Sequence, residues 1–312
     1  MSTNSRVASL RALQSPSCVF EEVPGDMGVY SQVIDAREAI DNILSGKDDR
    51  LIVVVGPQRS SADTGMLMAL AAELRMVDYS SELLIVLQAD SVTRYEPQAD
   101  GSYQINRGIR KAREVLMELN GLGLPTAIEF RDTITPQFFA DLISWASVST
   151  RSETLQELVS GLSMPVGLSG PSGDVASILR ALDISGGEHH FLGVSAEGVC
   201  GVVKSTGNRD VLSVISAGEG GNAQSLDAAL TSVHAARPAT SLMVELGSGP
   251  MYAGALERTC DHICRRSAIG SRIVGTVLRV APTADGAGVD RGLMERLERL
   301  TTGATSRKPP IT

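Results

Sequence analysis

The chain predicts an α/β fold, a (β/α)8 barrel with an N-terminal extension and an inserted β-hairpin, and three observations support this. Eight apolar runs of strand length recur with helical stretches between them, the pattern of a closed parallel sheet ringed by helices. The composition is 43% hydrophobic with only 4% aromatic residues and 31 glycines, which describes an aliphatic interior with many tight turns rather than a β-sandwich. A length of 312 residues holds one barrel of about 250 residues with room for decoration.

Taken in order, residues 1–36 form an extension that precedes the first helix. Its apolar side chains Val19, Phe20, Val29 and Tyr30 exceed what a lone barrel covers, so a homodimer or higher homo-oligomer is expected. The barrel occupies 37–300. Its strands are read at 51–55, 83–87, 126–130, 142–148, 165–168, 211–215, 242–246 and 272–280, largely apolar because parallel strands are buried on both faces. Between the second and third strands, Ile105, Ile109, Ala112, Leu116 and Leu119 step by four and three along one helix face, and Gly121 supplies the stop. An insertion at about 191–206 reads as a hairpin, its extended runs 191–194 and 199–203 broken by Glu197-Gly198. The polar, proline-bearing end, 301–312, is expected to be disordered.

A net charge of −8 argues against a nucleic-acid partner and against an anionic membrane surface. Residues 1–17 lack the apolar run of a signal peptide and no apolar span of membrane length occurs, so a cytoplasmic location is expected. Cys18, Cys200, Cys260 and Cys264 are too few for a disulfide scaffold. Cys260 and Cys264 share a helix face that His262 does not, which favours two half-buried cysteines over a metal site.

In such a barrel the site lies at the C-terminal ends of the strands. The residues there are Gln58, Gln88, Glu129, Arg131, Arg151, Ser169, Ser216, Ser248 and Arg279, rich in hydroxyls and amides and without histidine or lysine.

Several motifs stand in one order along the chain: Asp48-Asp49-Arg50, Ser102-Tyr103-Gln104-Ile105-Asn106 with Gly108-Ile109-Arg110, Gly123-Leu124-Pro125, and Glu129-Phe130 with Asp132. Ile134-Thr135-Pro136-Gln137, Ala140-Asp141-Leu142 with Ser144-Trp145, Ser160-Gly161-Leu162-Ser163, Pro165-Val166-Gly167 and Thr206-Gly207-Asn208 continue the series. Together they closely resemble the type I 3-deoxy-D-arabino-heptulosonate 7-phosphate (DAHP) synthases. The resemblance implies a barrel that condenses phosphoenolpyruvate with erythrose 4-phosphate at a divalent metal held by Cys, His, Glu and Asp. On that alignment the Cys position is Gln58, the His position Ser248 and the Glu position Arg279, while the segment bearing the Asp is shortened. A neutral amide is a poor ligand and a guanidinium repels the ion, so neither metal nor cofactor is expected. Of the family's substrate-binding cations one matches Arg151; the others fall at Gln88, Thr93, Ser169 and Ser216, with Arg94 one residue away. The resemblance also places an aromatic amino-acid pocket beside the hairpin at Pro136, Gln137, Leu162, Ser163, Phe191, Val194 and Val203, residues that equally well pack the core or a subunit contact.

The refitted mouth therefore offers Glu129, Gln58 and Arg59 as catalytic candidates. Arg151, Gln88, Arg94, Ser169, Ser216, Ser248 and Arg279 are candidates for holding a small anionic metabolite. Glu129 reads equally as a carboxylate paired with Arg131 or Arg151, and Arg151 as an anion anchor or a structural ion pair. Lys204 sits on the hairpin rather than a barrel strand, which disfavours a Schiff-base role. His189-His190 read as surface or capping residues, and Gly218-Glu219-Gly220-Gly221 and Gly247-Ser248-Gly249 as turns. Three functions compete: a repurposed, metal-independent enzyme acting on a carboxylate or phosphate, possible in specialised metabolism; an inactive relative that binds an aromatic amino acid or regulates a true synthase; and residual DAHP synthase activity in aromatic amino acid biosynthesis.

Overall fold

The computed structural model describes residues 6–7, 10–58, 64–76, 80–93, 104–218, 222–247, 249–264, 272–281 and 292–307. Two helices, α1 (Pro16–Glu22) and α2 (Met27–Leu44), lead into β1 (Leu51–Pro57), α3 (Thr64–Arg75), β2 (Leu83–Gln88), α4 (Ile105–Gly121) and β3 (Thr126–Glu129). Next come α5 (Pro136–Phe139), β4 (Trp145–Ser149), α6 (Glu153–Val159), β5 (Val166–Pro171) and α7 (Val175–Gly186). A hairpin of β6 (His190–Val194) and β7 (Cys200–Lys204) precedes β8 (Val211–Ser216), α8 (Ala223–Ala236), β9 (Leu242–Leu246), α9 (Ala253–Cys264), β10 (Ile273–Val280) and α10 (Gly292–Arg307).

Eight parallel strands close in the order β1-β10-β9-β8-β5-β4-β3-β2, with β6 and β7 paired apart as a two-stranded sheet. The predicted (β/α)8 barrel with an inserted hairpin is therefore present. Alternate strand residues divide the core in two. Ile52, Val54, Val86, Ala127, Trp145, Leu212, Val214, Met243 and Val277 pack inside the barrel with Ile40 and Ile43, so α2 closes its N-terminal end. The intervening residues, such as Leu51, Val53, Val55 and Leu83, pack outward against the helices.

Several sequence expectations need correction. The first helix lies inside the extension rather than after it: Ser15 caps α1 at the Cys18 amide and Asp26 caps α2 at Gly28. Val19 and Val29 are buried within this one chain, Phe20 lies 4.4 Å beneath the Arg113 guanidinium and Tyr30 packs on the core, so these residues require no second subunit. The extension also meets the hairpin tip, where the Ser17 amide donates to the Ala196 carbonyl at 2.8 Å. The fourth strand starts at Trp145, not 142, because Ala140–Leu142 forms a 3-10 turn. Helix α4 ends at Gly121 as expected, but the chain reverses at Gly123, whose φ of +80° is the left-handed conformation glycine tolerates.

Residues 301–307 are not disordered. They continue α10, whose Leu293, Leu297, Leu300 and Ala304 recur at helical spacing and are fully buried; the polar residues lie on the other face, which composition alone obscured. Residues 308–312 lie outside the described residues. Among the described residues no helix is long and apolar enough to cross a membrane.

Candidate active site at the mouth of the barrel

At the C-terminal ends of the strands the barrel interior changes from aliphatic to charged. Gly56 of β1 makes this possible: a Cβ there would stand 2.6 Å from Gln88 Cβ, so only glycine lets the Gln88 side chain cross the barrel. Gln88, 1% exposed, accepts at Oε1 a bond of 2.8 Å from Arg279 Nη1 and donates through Nε2 to Asp90 Oδ2 at 2.9 Å. Arg279, the neighbour of Gly56 across the β1/β10 ladder, donates from Nε to Glu245 Oε1 at 2.8 Å and lies 3.8 Å from Asp90. Ser169 of β5 donates to the other oxygen of Glu245 at 3.2 Å. The second oxygen of Asp90 takes the Glu129 backbone N–H at 2.7 Å. Burial pushes the Arg279 pKa down, but attraction to Glu245 and then Asp90 outweighs it, so its pKa lies above the usual arginine value.

Glu129 is buried, and its Oε2 takes two bonds from Arg131, at 2.8 and 3.2 Å, whose own side chain is half exposed. Three carboxylates thus face two guanidinium groups. Arg279, expected from the sequence to hold an anionic metabolite, is paired here with Glu245 and Asp90.

Arg151 stands exposed after β4; it makes no direct ion pair with a described residue, but its charge helps, after the Ser177 hydrogen bonds and Arg180, to lower the pKa of Asp174, and its backbone N–H donates to Ser149 Oγ at 3.3 Å. Gln58 is exposed at the rim, its backbone N–H donating to the Val280 carbonyl at 2.7 Å, and Ser216 Oγ accepts the Gly218 backbone N–H at 3.3 Å. Arg59, Arg94 and Ser248 lie outside the described residues. The structure thus joins Gln88, Glu129, Ser169 and Arg279 in one network and leaves Arg151, Gln58 and Ser216 around it.

Sequence reading missed Asp90 and Glu245. Glu245 had a signal, a lone carboxylate in the apolar run Leu242-Met243-Val244-Glu245-Leu246, since a buried charge demands a partner. Asp90 follows its strand by two residues and carries no comparable mark.

Beside the hairpin, Pro136 and Phe191 are buried, Leu162 and Val203 pack against the same core, Gln137 and Val194 are half-buried, and Ser163 is exposed. Lys204 pairs with His190 across the hairpin, away from the barrel mouth. His189 Nε2 lies 2.7 Å from the Ile184 carbonyl at the end of α7, the capping role expected of it. On α9, burial and then the neighbouring Cys264 push the Cys260 thiol up to about 11, and His262 turns to Asp227 at 2.8 Å. Several motif residues serve the frame. Asn208 bonds the Leu162 and Met164 carbonyls, Asp132 caps Ile134 and Thr135, and Asp141 holds Arg113.

A family model described as the DAHP synthetase I family matches residues 30–300. Over 234 residues the chain is 36% identical to the Phe-sensitive phospho-2-dehydro-3-deoxyheptonate aldolase of Escherichia coli K12, a match covering 69% of this chain and 65% of that protein. It is 32% identical over 294 residues to the Trp-sensitive phospho-2-dehydro-3-deoxyheptonate aldolase of Salmonella typhimurium LT2, covering 88% of this chain and 84% of the relative. A solved structure of phospho-2-dehydro-3-deoxyheptonate aldolase from Francisella tularensis SCHU S4 superposes with a TM-score of 0.83 at 26% identity, over 97% of this chain and 100% of that one.

Proposed function

The chain belongs to the DAHP synthetase I family, and from that premise we propose that it is a metal-independent enzyme of the family. It acts at the barrel mouth on a small carboxylate- or phosphate-bearing molecule by acid/base or aldol-type chemistry. The observation that carries this reading is the Arg279 guanidinium, 2.8 Å from Glu245 and from Gln88. A divalent metal needs donor atoms, whereas this position presents a fixed positive charge. Among the described residues no three of His, Cys, Asp and Glu converge to hold an ion. The residues present do not fit the metal that the family resemblance implies.

The parent condensation also asks for several uncommitted cations around phosphoenolpyruvate, which carries about three negative charges and is held by charge-assisted hydrogen bonds. Arg279 and Arg131 are both engaged by carboxylates. In the proposed reaction Arg151 anchors the anionic group at the rim, since a guanidinium fork matches a carboxylate or phosphate in bidentate fashion. Glu129 exchanges a proton with the bound molecule through its carboxylate oxygens, and Arg131 holds that carboxylate in place until the substrate arrives. The relatives' printed name, an aldolase, supports bond making or breaking beside a carbonyl as the reaction class.

Metal analysis of purified protein, with an assay of phosphoenolpyruvate consumption in the presence of erythrose 4-phosphate and added Mn2+, tests the reading. No bound metal and no consumption are expected. Stoichiometric Mn, Fe, Co or Zn accompanied by turnover overturns it. Calorimetric titration with inorganic phosphate and with phosphoenolpyruvate tests the anchor. Arg151→Ala should weaken anion binding by about 1.5–3 kcal/mol with little change in melting temperature, the range of a charged hydrogen bond. Equal affinities for wild type and variant remove Arg151 from the site.

A further inference from the structure

Two carboxylates from different strand ends, Glu245 of β9 and Asp90 just after β2, flank one buried basic side chain at the barrel mouth. Arg279, 8% exposed, reaches Glu245 at 2.8 Å and Asp90 at 3.8 Å, while Asp90 is itself fixed by Gln88 and by the Glu129 amide. Carboxylates so placed repel one another in a water-poor space and need a cation between them. Oxygen donors of this kind suit a hard divalent ion such as Mg2+ or Mn2+. A guanidinium supplied by β10 removes that need, because it is a permanent charge with a fixed fork of donors that no chelator can extract.

We propose that Arg279 is the internal cation of this barrel, its guanidinium filling the place of a divalent ion between Glu245 and Asp90, so that removing it converts the mouth into a divalent-cation site. Arg279 is then a positioning residue: it holds Gln88, Asp90 and Glu245 in register around the substrate space and touches no reacting atom. The inference rests on the metal-independent reading and adds what replaces the metal.

The test compares wild type, Arg279→Gln, Arg279→Lys and the double variant Arg279→Gln/Glu245→Gln by calorimetric titration with Mn2+ and by thermal melting. Wild type and Arg279→Lys, which both keep the cation, should give no binding heat with Mn2+. Arg279→Gln should bind Mn2+ and gain about 5 °C in melting temperature at roughly a hundredfold excess over its dissociation constant. The double variant, with one carboxylate removed, should lose at least about tenfold of that affinity, one decade per 1.4 kcal/mol. A purely structural arginine would leave both glutamine variants without a Mn2+ response, and that result overturns the proposal. Should Arg279→Gln not fold, the triple variant Arg279→Gln/Glu245→Gln/Asp90→Asn removes charge from both sides and should fold; its failure also overturns the proposal. Metal in the wild-type protein would instead defeat the metal-independent reading itself, so the two failures are distinct.

Discussion

Arg113→Met tests whether the N-terminal extension is part of this barrel or a free arm. Arg113 is fully buried on α4, with Nη1 donating at 2.7 Å to Asp141 and at 2.7 Å to the Phe138 carbonyl, and Nη2 donating at 2.8 Å to the second Asp141 oxygen. Phe20 of α1 stacks on the guanidinium at 4.4 Å. Breaking a buried ion pair by removing one partner costs about 3–5 kcal/mol. The Asp141 side chain is 30% exposed, so water rehydrates the abandoned carboxylate and the lower end of that range applies. The lost contact with the Phe20 ring adds roughly 0.5–2 kcal/mol, and methionine restores part of the packing. A net loss of about 3–4 kcal/mol is expected, which at the ~2 °C per kcal/mol of a large domain is a fall of roughly 6–8 °C in melting temperature. The comparison is Arg110→Ala, whose pairing with Glu22 lies at the surface and should matter far less. Calorimetric melting of both variants, with limited proteolysis to follow release of residues 1–24, reads the effect. If Arg113→Met melts within 2 °C of wild type by the same ~2 °C per kcal/mol scale, neither the pair with Asp141 nor the stacking of Phe20 of α1 on Arg113 contributes as argued, and the burial argument fails.

Three further outcomes are expected. Gly56→Ala forces a methyl to within 2.6 Å of Gln88 Cβ and should cost about 1–3 kcal/mol, visible as a lower denaturation midpoint in urea; an unchanged midpoint would mean that the mouth is loosely packed. Burial, and then the charge of Asp41, raises the folded-state pKa of Asp210, so stability falls as pH rises from the unfolded carboxylate value through the raised folded one. Asp210→Asn should therefore raise the melting temperature at pH 7 and leave it unchanged at about pH 3, where the carboxyl is neutral in both states; the same increment at both values would exclude a charge effect. On the hairpin, Leu192 is 74% and Val202 is 70% exposed, side by side across the β6/β7 ladder, which makes this face the candidate contact of a homo-oligomer. Light scattering should give a dimer or larger at micromolar concentration and a smaller species for Leu192→Ser/Val202→Ser, whereas a wild-type monomer would dispose of the idea.

The barrel was legible because its signals are local and repeated. Runs such as Leu51-Ile52-Val53-Val54-Val55 and the four-and-three spacing from Ile105 to Leu119 state their secondary structure without help from the rest of the chain, and eight repetitions leave few ways to close the sheet. The motifs that carry the family resemblance were equally legible as motifs, but what they brace was not: Asp132 caps the turn beside it, whereas Asp141 reaches Arg113, 28 residues away, and Asn208 the Leu162 carbonyl, 46 residues away. The last helix misled because its buried face is only Leu293, Leu297, Leu300 and Ala304, set among polar residues with no composition to mark them. The extension misled for the complementary reason: Val19 and Phe20 are apolar in any reading, and only packing decides whether their cover is a neighbour or the same chain's Arg113 and core.

The sequence by itself determined the class of fold and the position of the mouth, and it set Gln58 and Arg279 at that mouth. The tertiary structure decided the state of those residues. Arg279 is 34 positions from Glu245 and 191 from Gln88 along the chain, yet bonded to both. Closing the barrel brings together strand ends that no periodicity connects, and an ion pair between them depends on distance and burial rather than on order along the chain.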